Sequence, residues 1–265
     1  MSLIRFPLAS ILWLGFFAAI LWAWWALYTM STGMGLDLLG RPGPLAEIMR
    51  RMDPRMGMPM PMAQFWPLFF MWGLMMAAMM LPTLVPSLRA YEDLMSSANG
   101  SRAGWLGLLT GYFAVWLGFA ALIAGVQIAL LYSGAIDMLG IATSGWLTAA
   151  ILLGVGAYQF SRSKEICHGI CHAPTMYFLG NWRTGARGGL RMGLSLGAYC
   201  TGCCWGFMVL GFVGGTMSLL WMGLATLFMI FEKLPQIGHR LLKPAGAVLI
   251  GAGLYMAVRT AGLTG

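Results

Sequence analysis

From Trp105 to Tyr132 the chain carries no charged side chain. That stretch is longer than the about 20 apolar residues an α-helix needs to cross the hydrocarbon of a bilayer. Six other segments follow the same pattern. The apolar runs predict spans over 8–30, 65–88, 105–132, 145–161, 191–212, 216–232 and 244–260, with the fourth the shortest. The expected fold is all-α: a polytopic transmembrane helix bundle of about seven spans, forming a single integral membrane domain over 1–265. Only 9% of the residues are charged and the mean hydropathy is +0.77, against about 25% charged residues in a soluble domain. Such a chain is held together by helix packing in lipid. The pairs Gly107/Gly111, Gly193/Gly197 and Gly202/Gly206 suit close helix contact.

The apolar stretch from about residue 7 to residue 30 is too long for a signal-peptide core and has no small-x-small cleavage site; it reads as a retained first span. The net charge of +8 does not indicate nucleic-acid binding, because the basic residues lie between apolar spans. With the N-terminus cytoplasmic, eleven bases fall inside: Arg5, Arg89, Arg102, Arg162, Lys164, Arg183, Arg187, Arg191, Lys233, Arg240 and Lys243. Five fall outside: Arg41, Arg50, Arg51, Arg55 and Arg259. The positive-inside rule favours that orientation. It makes 31–64 a Met/Pro-rich external loop and 162–190 a Cys/His-containing cytoplasmic loop. Few ionisable groups are expected at depth, with Glu232 and Lys233 at a span end and Gln127 merely polar. This counts against a proton pump or an ion-coupled transporter.

Sulfur carries the chemistry. Cys200, Cys203 and Cys204 are spaced to share one helical face. In the second span Met71, Met75 and Met79 form a ladder flanked by Met76 and Met80, ahead of Pro82 and Pro86, which free backbone carbonyls and kink a helix. Before it, Met52, Met56, Met58, Met60 and Met62 alternate with prolines in part, and that stretch is expected to be extended. Thioethers need no deprotonation and suit Cu(I). After the fourth span, Cys167 and Cys171, with His168 and His172 one position round, offer four further soft-to-borderline ligands. By helical rise, Cys200 and Met75–Met80 reach a similar depth from opposite sides, which would allow a mixed thiolate–thioether site. Cu(I) is the expected ion and Zn the alternative. Haem is disfavoured: Cys167-x-x-x-Cys171-His172 only lengthens the attachment motif, and it is expected on the inner side. The bland reading is that these thiols and thioethers are apolar filling.

Trp72–Pro86, Lys164–Pro174 and Tyr199–Lys233, the last including Tyr-Cys-Thr-Gly-Cys-Cys-Trp, resemble a bacterial family of unknown function described as predicted metal-binding integral membrane proteins. The resemblance implies metal binding and residence in the bacterial inner (cytoplasmic) membrane. Together these readings predict a membrane protein that binds a soft metal for transport or delivery. Its partners would be the lipid bilayer, a periplasmic or cytoplasmic metallochaperone, and a second copy or a membrane-complex subunit. The rivals are a quinone-coupled thiol–disulfide oxidoreductase, for which Cys200-x-x-Cys203 has the right form, and an accessory or assembly subunit of a larger membrane complex.

Overall fold

The computed structural model describes residues 8–50, 61–234 and 238–262. The described residues form helices α1 (Leu8–Gly33), α2 (Pro44–Arg50), α3 (Phe65–Met95), α4 (Arg102–Tyr132), α5 (Gly145–Tyr158), α6 (Arg162–His172), α7 (Pro174–Asn181), α8 (Gly185–Val209), α9 (Gly211–Gly214), α10 (Leu219–Glu232) and α11 (Gly238–Thr260). A single 3-10 turn at Pro61–Ala63 precedes α3. No strand occurs among the described residues, so the all-α expectation holds. Met56, Met58 and Met60 lie outside the described residues, whereas Met62 sits half-buried in the 3-10 turn against the core.

Helices α4 and α8 pack along their lengths, α3 packs on α4, and α1 covers α3. The α4–α8 seam is a glycine contact, as the spacing predicts. A Cβ on Gly107 would run into the Ala186 carbonyl, one on Gly189 into the Gly104 carbonyl, and one on Gly193 into the Leu108 carbonyl. Only bare backbone allows this approach. Helix α5 pairs with α11, α6 lies on α8, and both α7 and α10 reach α3. Trp72, Trp105, Trp116, Tyr91, Tyr112 and Phe178 fill the interior. Helix α3 runs on through Pro82 and Pro86. Proline at 82 leaves the Ala78 carbonyl without its helical donor, and Trp24 Nε1 of α1 donates to that oxygen at 3.1 Å.

Among the described residues, five helices are long and apolar enough to cross a membrane: Leu8–Gly33, Phe65–Met95, Arg102–Tyr132, Gly185–Gly214 and Arg240–Thr260. The other two expected spans are shorter than the apolar runs suggest. Helices α5 and α10 have 14 residues each, about 21 Å at 1.5 Å per residue, against about 30 Å of hydrocarbon. The run 145–161 is broken because Ser161 caps a new helix, its side chain accepting from Lys164 N at 3.1 Å. The run 216–232 begins with a turn, and Ser218 caps α10 by accepting from Trp221 N at 3.3 Å. Likewise the expected 162–190 loop contains helices α6 and α7 and the start of α8.

Two turns of one design stand at the ends of α1 and α4. In each, an aspartate carboxylate accepts two backbone amides: Asp37 from Leu39 and Arg41, Asp137 from Leu139 and Ile141. Each then passes through a glycine at positive φ, Gly40 at 75° and Gly140 at 73°, which an L side chain rarely adopts. The turns hold the α9–α10 connection from both sides: Ser218 Oγ donates to the Leu39 carbonyl and Thr216 Oγ1 to the Leu139 carbonyl, each at 3.0 Å. The far ends of α1, α4 and α9 are thereby fixed on one face of the bundle.

Candidate metal centre

Helix α8 presents Cys200, Cys203 and Cys204 at i, i+3 and i+4, all buried. Helix α6 crosses α8 and inserts Cys171. The Sγ atoms of Cys171, Cys200 and Cys203 all lie within 4.8 Å of one another. Cys203 Sγ is 3.8 Å from Cys171 Sγ and 3.1 Å from Cys204 Sγ. All five cysteines are free thiols. The close crossing depends on Gly202: a Cβ there would stand 2.8 Å from Cys167 Sγ. Tyr158 at the end of α5 ties the same turn of α8, its hydroxyl donating to the Gly202 carbonyl at 2.6 Å. Helix α6 stops after His172 because Ala173 precedes Pro174, which disfavours helical backbone.

Contrary to the expected scarcity of ionisable groups, two lysines and a glutamate are buried beside the thiols. Lys233 Nζ lies 3.1 Å from Cys200 Sγ and donates to Thr83 Oγ1 at 2.8 Å. Lys164 Nζ pairs with Glu232 Oε1 at 2.6 Å and donates to the Cys203 carbonyl at 2.5 Å. Lys164 is 0% exposed, Glu232 1% and Lys233 7%. Burial alone would favour the neutral amine of Lys164. The Glu232 carboxylate outweighs it, and the pKa of Lys164 stands above that of an ordinary lysine. The short helices explain the placement. Helix α10 ends at Glu232, so Lys233 sits at its C-terminus, where the helix dipole favours a cation. Helices that stop inside a bundle recur at ion sites in membrane proteins.

Tyr112 of α4 completes the surroundings of Cys200, its hydroxyl 3.0 Å from the sulfur and 3.4 Å from the Met80 carbonyl. Helix α3 reaches the Cys200 end of the thiol group through side chains of other elements, Lys233 and Tyr112. The links run from Thr83 and the Met80 backbone of α3 through Lys233 and Tyr112 to the Cys200 sulfur. Met75, Met76, Met79 and Met80 are buried in the core. The α6 residues divide. Cys171 joins the α8 thiols and Cys167 is half-buried beside Gly202. His168 Nε2 lies 2.8 Å from the Glu232 carbonyl oxygen, and its ring stacks on His172 at 5.3 Å between centroids. Spacing alone sets Cys167 and Cys171 apart as an inner pair and gives no sign of Thr83, Tyr112 or Lys164 at the site. No spacing rule joins residues 83, 112, 164 and 200. The signal within reach was Glu232-Lys233, a charged pair closing an apolar run.

Chemically, the arrangement is a buried group of four thiols, with the Lys233 ammonium on the Cys200 sulfur and the Lys164 ammonium at the Cys203 carbonyl. Soft thiolates select Cu(I), Zn or similar ions, and ammonium groups stabilise the negative charge that thiolate ligation creates. No curated protein and no solved structure matches the chain. Residues 69–256 match the model of the PpoB2 family, described as copper chaperone, in keeping with the metal-binding resemblance. The matched stretch is well over half of the chain and contains α4 to α10 entire, with every thiol of the cluster, so the protein belongs to the PpoB2 copper chaperone family.

Proposed function

We propose that this protein is a membrane-seated chaperone whose cargo is Cu(I), bound by thiols from α6 and α8 and then passed to another protein. The observation that carries this reading is the convergence of Cys171, Cys200 and Cys203 from two helices into one buried group. Five apolar helices of spanning length support residence in a bilayer, and the charge distribution supports a cytoplasmic N-terminus in a bacterial inner membrane. The Met56–Met62 segment would capture copper outside, and Met75–Met80 would offer weak thioether ligands along α3. Cys167, half-buried and one helical turn from Cys171, would be the point of exchange with an inner metallochaperone. Many weak ligands favour transfer over storage.

The test is anaerobic titration of the purified full chain with Cu(I) against a competing chelator. The account expects about one ion per chain held tightly, since one thiol group of metal-binding geometry occurs among the described residues. Failure to compete for Cu(I) at all would remove the reading.

A further inference from the structure

The thiol cluster holds more sulfur than its cargo needs. A Cu(I) ion is selected by soft thiolates without a need for every thiol at hand, yet Cys171, Cys200, Cys203 and Cys204 are buried together. One of them is already committed by geometry. Cys200 Sγ is engaged by Lys233 Nζ at 3.1 Å and by the Tyr112 hydroxyl at 3.0 Å, contacts that suit a sulfur kept as a charged ligand. Cys204 stands one helical turn along the same face of α8. Cys203 faces Cys171 across the α6–α8 crossing, sulfur to sulfur at 3.8 Å. An inward shift of about 1.8 Å would bring that pair to bonding distance. The closer pair, Cys203 and Cys204 at 3.1 Å, is unsuited to a bond. Neighbouring Cα atoms are about 3.8 Å apart, under the about 4.4–6.8 Å that a disulfide normally spans.

We propose that the protein is also a cupric reductase, with the Cys171/Cys203 pair as electron donor. The substrate is Cu(II), which is itself the oxidant. Cys171 and Cys203 each lose one proton and one electron, and the S–S bond forms between them. Two Cu(II) ions each gain one electron and become Cu(I), and two protons leave to water. Cys200 and Cys204 stay reduced to retain a product ion, and exchange with an external dithiol, itself oxidised to its disulfide, returns Cys171 and Cys203 to the Cu(I)-binding set. The reaction converts the form of copper that thiols hold poorly into the form this site takes as cargo. It rests on the Cu(I)-binding reading above and extends it to the oxidised ion.

The experiment uses the full chain, reduced and purified under argon, mixed with two equivalents of Cu(II). The reaction is stopped in acid with a thiol-alkylating reagent, Cu(I) is read with a colorimetric chelator, and the bonded cysteines are mapped by mass spectrometry. The expected result is about two Cu(I) per chain and a Cys171–Cys203 disulfide. Cys171→Ser should slow Cu(I) formation about tenfold or more, because the remaining thiols lack the aligned partner. Preformed Cu(I) supplied to the same samples is the control. If the parent binds preformed Cu(I) but leaves Cu(II) unreduced, or if the disulfide maps to Cys200–Cys203, this proposal falls and the chaperone reading stands. If it binds neither ion, the chaperone reading falls as well.

Discussion

Replacing Lys164 with Met is expected to destabilise the protein by about 3–5 kcal/mol, because it leaves a buried carboxylate without its partner. Lys164 and Glu232 are both inside the bundle, 2.6 Å apart. Their mutual attraction offsets a desolvation cost that neither meets alone. Glu232→Leu, which strands the Lys164 ammonium beside the Cys203 carbonyl, should cost a similar amount. Joining the two substitutions should recover most of the loss, since an apolar pair of similar volume is often as stable as the ion pair. Thermal unfolding of the two single variants and the double variant in the same detergent measures this. Additive losses in the double variant would show that the two side chains do not act as a pair.

Copper affinity should respond most to Cys203. Its sulfur touches both Cys171 and Cys204 and so lies at the centre of the group. Cys203→Ser removes the soft ligand while keeping a similar size, and is expected to weaken Cu(I) binding at least about a hundredfold. That exceeds the 10–100-fold range seen when only a supporting residue of a metal site is lost. Lys233→Met, by contrast, keeps every sulfur and removes a charge beside Cys200. Its expected loss stays within that supporting range. Competition with a Cu(I) chelator ranks the two. An equal or greater loss in Lys233→Met would mean that the charge, and not the thiol set, dominates the affinity.

Much of the fold was readable because a long apolar run can pair its own backbone groups only as a helix. The glycine contacts between α4 and α8 were legible for the same reason, since Gly107, Gly111, Gly193 and Gly197 recur at helical spacing. Helix ends were harder. Hydropathy does not register the caps at Ser161 and Ser218, so α5 and α10 were read as longer than they are. The paired turns at Asp37 and Asp137 left a trace in Leu36-Asp-Leu-Leu-Gly40 and Ile136-Asp-Met-Leu-Gly140, one too short to notice without the hydrogen bonds.

The site was half legible. Cys200, Cys203 and Cys204 share a face because spacing alone puts them there. That Cys171 would join them depends on how α6 crosses α8, which is a tertiary fact set by Gly202 and by the Lys164 contacts. The burial of Lys164 and Lys233 was not legible for a physical reason. Positive charge near a span end normally reads as an orientation signal, and here two such residues turn inward toward sulfur and a carboxylate instead.

X-ray absorption at the copper edge of the Cu(I)-loaded full chain addresses the union of α6 and α8 thiols most directly. The account predicts a first shell of sulfur alone, and loss of that shell's intensity when Cys171 and Cys203 are both changed to Ser. A shell of nitrogen or oxygen, or a sulfur shell unchanged in the double variant, would contradict it.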